Sequence, residues 1–240
     1  MKNGQGPAGL FFAILILMNW VSLLLGLLLH ARHQALPFWT YALALPLMTF
    51  CFTGLFILSH DALHGSLVPG WPRLNRAVGQ LTFFLYAGLP FGKMAAAHVR
   101  HHEAPTTHED PDFHFPGSPR LIRWYLKFMW TYASPYTFLF YFGAFAFCRI
   151  LGVSTLDFLL LWALPALLSS FQLFYFGTYR PHRAPASFLN RERAVDHGWS
   201  FWPSLLTCYH FGHHRRHHQS PELPWWTLAT VSSHFPEKGQ

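Results

Sequence analysis

Apolar positions along this 240-residue chain gather into a few long runs with little amphipathic periodicity. The first, residues 10–29, is interrupted only by Asn19 and small residues. About 20 apolar residues in a helix cross a bilayer core, so the run predicts a membrane-spanning helix. A secretory signal would have a shorter apolar stretch ending in small residues, whereas this one leads into His30, Arg32 and His33, and we expect it to be retained. Residues 38–58, 124–150 and 156–176 predict three further spans. Residues 78–97 are apolar but contain Pro90, Gly92 and Lys93, which favours a re-entrant or interfacial hairpin. The fold expected is an all-α integral membrane protein. It has about four transmembrane helices, a helical hairpin and a cytoplasmic helical cap, all in a single domain over residues 1–240.

Composition agrees. Hydrophobic residues make up 52% of the chain and charged residues only 11%, against about 25% charged in soluble domains. With the N-terminus inside, all but Arg32 and Arg149 of the 17 Lys and Arg residues fall on the cytoplasmic side, counting Arg123 and Lys127 at a helix edge. The positive-inside rule then places residues 59–120 and 178–240 in the cytoplasm of a multi-pass inner-membrane protein. Cys51, Cys148 and Cys208 show no pairing pattern and read as buried thiols. No nicotinamide, flavin, iron–sulfur or nucleic-acid motif is visible, so any electrons must come from outside.

Seventeen residues are histidine, and their spacing changes the picture. His60 and His64 stand at i and i+4, on one face of a helix. His98, His101 and His102 form His-x-x-His-His, and His214, His217 and His218 repeat it. Random placement would produce roughly 0.1 such pattern per chain. Buried imidazoles need a partner that offsets their desolvation, and a metal is one. Eight clustered nitrogens without clustered Cys exceed one structural zinc site and suffice for two ions. Imidazole suits Fe, Zn, Cu and Ni, so ligand chemistry leaves the metal open.

The boxes His60-Asp-Ala-Leu-His64, His98-Val-Arg-His-His102 and His214-Arg-Arg-His-His218 resemble those of the membrane di-iron desaturase and hydroxylase superfamily. Around them stand Tyr86-Ala-Gly, Asp110-Pro-Asp-Phe-His114, Thr178-Tyr-Arg-Pro-His-Arg183, Leu205-Leu-Thr-Cys-Tyr-His-Phe-Gly212 and Pro224-Trp-Trp226. With these words, residues 50–230 resemble the bacterial β-carotene ketolases. The third box departs from that family's usual pattern, with His213 in place of Tyr and Arg216 in place of Glu.

The resemblance implies two non-haem iron ions, O2 as co-substrate and His182 as a ninth ligand. It also implies electrons from a ferredoxin or an NAD(P)H-linked reductase. The substrate would be β-carotene or a hydroxylated relative, oxidised twice at the allylic C4 position of its ring. Loss of water from the resulting diol then leaves a ketone of the echinenone, canthaxanthin or astaxanthin type. Asp61, Asp112 and His210 are the non-ligand candidates for the catalytic site. Asp61 and Asp112, like Asp110, can accept the outer N–H of a ligand histidine; a helix cap at Asp61 or a turn at Asp110-Pro-Asp is the other reading. His210 reads as a ligand, a donor behind the ligands or a structural residue. The basic cytoplasmic face suits either a soluble acidic electron carrier or anionic membrane lipid. Competing classes are a carotenoid hydroxylase, a fatty acid desaturase, and a membrane metal transporter or metal-binding protein. A transporter would need ionisable residues across the midplane of several spans, and the runs here are nearly free of charge, apart from residues near their ends such as Arg123, Lys127 and Asp157.

Overall fold

The computed structural model describes residues 5–114, 120–183 and 189–230, and every regular element among them is helical. Three helices are long and apolar enough to cross a membrane: α1 (Gln5–His33), α2 (Phe38–Leu63) and α7 (Thr155–Arg183). Each begins within five residues of its predicted run and extends past the run's end. The extra residues matter, because α2 now contains His60 and α7 contains His182.

The fourth predicted span, 124–150, is not one helix. It divides into α5 (Leu121–Tyr132) and α6 (Pro135–Ile150). Pro135 lacks an N–H and holds the residue before it extended, and Ser134 accordingly sits at φ −147°, ψ 155°. The Ser134 hydroxyl then accepts from the Thr137 N–H at 3.2 Å, capping α6. Continuous apolar composition concealed this stop-and-start signal. The 78–97 stretch is likewise two helices, α3 (Pro72–Ala87) and α4 (Phe91–Glu103), separated by left-handed Gly88 (φ 62°) and by Pro90.

α2 forms the centre, packed against α1, α3 and α7. Phe52, Leu55, Ile57 and Leu58 are fully buried there. The turn between α6 and α7 lies beside the turn between α1 and α2, with Gly152 against the Arg32 side chain. At the other end of the bundle α2 and α7 deliver His60 and His182. α8 (Phe201–Cys208) and α9 (His214–Gln219) close that end. Gly177 permits this closure, because a β-carbon there would lie 2.3 Å from the Phe211 ring. No cysteine is paired; Cys148 and Cys208 are buried, while Cys51 is half-buried instead of enclosed.

Candidate metal centre

The site is assembled from the ends of four helices. α2 supplies His60 and His64, α4 supplies His98, His101 and His102, α7 supplies His182, and α9 supplies His214, His217 and His218. Their ligand-capable atoms fall into two groups, each within 4.8 Å: His60, His64, His98 and His217 in one, His101, His182, His214 and His218 in the other. His102 stands between them. Its Nε2 is 3.0 Å from Nε2 of His217, and its ring stacks on His218 with centroids 4.1 Å apart.

Local structure explains the aim of each ring. α9 is too short to hold itself, and the Asp196 carboxylate accepts the Arg215 and Arg216 N–H groups at 2.9 and 3.3 Å, fixing its first turn. The guanidinium of Arg216 also turns to Asp196 (3.2 Å) and to the Leu228 carbonyl (3.1 Å), two partners that hold the cation of the third box. A widened π-helical turn, Tyr175–Tyr179, precedes His182 in α7.

Outer hydrogen bonds orient the rings further. His101 Nδ1 lies 3.0 and 3.1 Å from the two oxygens of Asp110, with Asp112 3.8 Å away. Asp110 also accepts the N–H groups of Thr106 and Asp112, both at 2.8 Å, so the turn role and the acceptor role coincide in one side chain. α5 clamps this loop through Trp124 Nε1, which donates to the Asp112 carbonyl at 2.6 Å. Asp112 itself accepts from the Tyr132 hydroxyl. His182 Nδ1 donates to the Arg193 carbonyl at 2.7 Å. Asp61 lies inside α2 and does not cap that helix; its oxygens approach His60 Nδ1 (3.4 Å) and accept the N–H of Trp225 (2.8 Å), the first residue of the short helical turn Trp225–Thr227, so an acceptor role and a capping role meet in one side chain.

The residues fit a metal. A neutral His182 that donates from Nδ1 presents a lone pair at Nε2, yet that atom faces His214 Nε2 at 3.0 Å, and His214 Nε2 faces His218 Nε2 at 3.0 Å. His64 and His98 meet through Nε2 at 2.7 Å, and His60 Nε2 is buried with no protein partner. Metal–imidazole bonds of about 2.1 Å set at right angles leave donor nitrogens about 3 Å apart, which is the spacing found. Burial first, and then the neighbouring imidazoles, hold His98, His102, His214, His217 and His218 below the ordinary histidine range, as ligation requires. His101 is the exception: burial opposes its charge, but Asp110 and Asp112 outweigh burial and raise it.

His210 is not brought to either group. Left-handed Tyr209 and His210 (φ 48° and 63°) end α8, and the buried His210 ring packs 4.6 Å from Phe201. Sequence reasoning missed the Arg193 carbonyl, which as a backbone atom leaves no residue signature. It also favoured Asp112 over Asp110, which two-residue spacing cannot rank.

Against known proteins, residues 35–154 match the model of the family "Fatty acid desaturase". The chain is 41% identical over 228 residues to the β-carotene ketolase of Paracoccus sp. (strain N81106 / MBIC 01143), covering 90% of this chain and 88% of that protein. It is 42% identical over 241 residues to the β-carotene ketolase of Paracoccus sp. (strain PC1), covering 94% and 93%. It is 33% identical over 232 residues to the zeaxanthin 4-ketolase of Chlamydomonas reinhardtii, covering 92% of this chain and 52% of that protein.

Proposed function

Since this chain belongs to the fatty acid desaturase family and, within it, to the β-carotene ketolases, we propose that it is a membrane oxygenase that converts C4 of a β-ionone ring to a ketone. What carries the reading is the meeting, in a chain of this kinship, of two imidazole groups with an apolar interior. The metal would be iron, one ion held by His60, His64, His98 and His217 and the other by His101, His182, His214 and His218, with His102 between them. Bound iron supplies the activation of O2 needed to attack a C–H bond.

The protein's own residues do the rest. Asp110 and the Arg193 carbonyl keep Nδ1 of His101 and His182 turned outward, leaving Nε2 for the metal. Phe56, Phe128, Leu173 and Phe211 line the small pocket against the histidines and exclude water from it. The C–H bonds at C4 are weakened because the radical left behind is allylic, so placement of that carbon decides the product. A second hydroxylation at the same carbon yields a diol that loses water to the ketone.

Two electrons per hydroxylation come from an external ferredoxin or an NAD(P)H-linked reductase. The basic end of the bundle faces the cytoplasm, α6 completes a fourth crossing by joining the inner end to the Arg32 side, and the break between α3 and α4 forms the hairpin. The whole chain works as one unit in a multi-pass inner membrane.

Expression in a bacterial host that makes β-carotene tests this. Keto-carotenoids should accumulate only with O2 present, and the purified chain should carry two irons. Unchanged β-carotene beside iron-loaded protein and a competent reductant would exclude the activity.

A further inference from the structure

The small pocket against His60, His98 and His214, about 40 Å³, has room for little beyond the reacting atoms. It is not isolated. Phe56, Met94, Phe128, Tyr132 and Leu173 line it on one side and line a second cavity of about 540 Å³ on the other. At its far end that cavity shares Trp130, Ala133 and Phe138 with an open groove of about 820 Å³. Ser134 and Pro135, the residues that break α5 from α6, lie in the groove, as does Phe142. Trp130 is 83% exposed and Phe138 and Phe142 are each 70% exposed. Large rings this open, on α5 and α6 between the bilayer-crossing α2 and α7, face lipid.

The chemistry of the 540 Å³ cavity narrows its occupant. Among the described residues, no Asp, Glu, Lys, Arg or His lines it. Most of its hydroxyls are engaged within the protein: Ser170 pairs with Tyr125 at 2.6 Å, Thr137 pairs with Ser134 at 3.1 Å, Tyr141 donates to the Tyr86 carbonyl at 3.2 Å, Tyr132 donates to Asp112, and the Tyr86 hydroxyl accepts from Ser169 at 3.5 Å. No charged side chain is there to pair with a carboxylate or phosphate headgroup, and a buried charge without a partner is costly. The walls suit a pure hydrocarbon, one end of which must reach the histidines.

We propose that groove, cavity and metal pocket form one substrate path, with its portal at the break between α5 and α6. A linear polyene enters from the bilayer between Trp130 and Phe138. Its leading ring occupies the cavity and meets the metal pocket across the wall of Phe56, Met94, Phe128, Tyr132 and Leu173, while its trailing part stays in the lipid-facing groove. The split of the fourth apolar run thereby acquires a role: it places a small residue, Ala133, at the throat.

The path rests on the proposed activity, and the tests separate the two. In the β-carotene-making host, Ala133→Trp fills the throat and should lower ketone formation on the order of a hundredfold and remove co-purifying β-carotene. Its iron content should match the unsubstituted chain. Leu43→Trp, on the 60%-exposed outer face of α2, should change neither. Phe138→Cys needs no bulk in the interior. After reaction with pyrene maleimide it should lose conversion, and bound β-carotene should slow its labelling; Leu43→Cys should show neither effect, with the unsubstituted chain as the control for native thiols. Undiminished conversion and carotenoid binding in Ala133→Trp, or labelling of Phe138→Cys indifferent to β-carotene, would overturn the path even if ketone is made. Protection of Phe138→Cys in a chain that makes no ketone would instead retain the path and remove the activity.

Discussion

The two imidazole groups use the same ligand and are held in different ways. His101 and His182 are each fixed from behind, by the Asp110 carboxylate at 3.0 Å and the Arg193 carbonyl at 2.7 Å. Both partners sit on loops that wrap the site. In the other group His60 has a longer outer contact to Asp61, at 3.4 Å, and Asp61 is shared with the Trp225 N–H. That group depends on helix packing instead: His60 and His64 are one turn apart at the end of α2, and His98 comes from α4. Acceptors behind a ligand fix its tautomer and raise its basicity, so the loop-backed group should hold metal more tightly and fill first.

Removing a ligand tests this most severely. His101→Ala and His217→Ala should each abolish ketone formation and lower iron from two per chain to about one or fewer, measured by plasma mass spectrometry. The two variants should differ in the ion they keep, and His217→Ala should resist a chelator longer because the loop-backed group is intact. Asp110→Asn should come next, with metal retention reduced about 10–100-fold in a chelator titration. Asp61→Asn should cost less, since its contact is longer and divided; equal losses would erase the distinction between the groups. Arg193 supplies the smallest effects. It sits at φ 45°, where Gly is unstrained, so Arg193→Gly should keep the carbonyl on His182 and leave iron near its usual level. Arg193→Val should lower stability by about 1–3 kcal/mol in thermal unfolding and loosen iron with it.

The same contrast governs how far the site was legible. The boxes could be read because residues three and four apart share a helix face, and both His-x-x-His-His words do lie on helices. His182 became a candidate only through resemblance; nothing in its spacing marks it. Which aspartate backs His101 was not legible, because Asp110 and Asp112 flank one proline and only the fold of their turn, held by Thr106 and Trp124, decides between them. His210 looked as eligible as any neighbour until left-handed backbone at the end of α8 turned it toward Phe201.

Sequence alone determined that the chain is helical and apolar enough for a membrane, since those properties are sums over local composition. It also determined that imidazoles occur in metal-ligating words, and where α1, α2 and α7 begin to within five residues. Tertiary structure decided which four helix ends meet, how nine imidazoles divide into two groups with His102 between, and that Arg216 pairs with Asp196. It also decided that the fourth apolar run opens at Ser134 beside a cavity. These depend on contacts between residues far apart in the chain, such as Asp61 and Trp225, 164 positions apart, and no local pattern encodes which distant atoms will satisfy a ring nitrogen or a buried carboxylate.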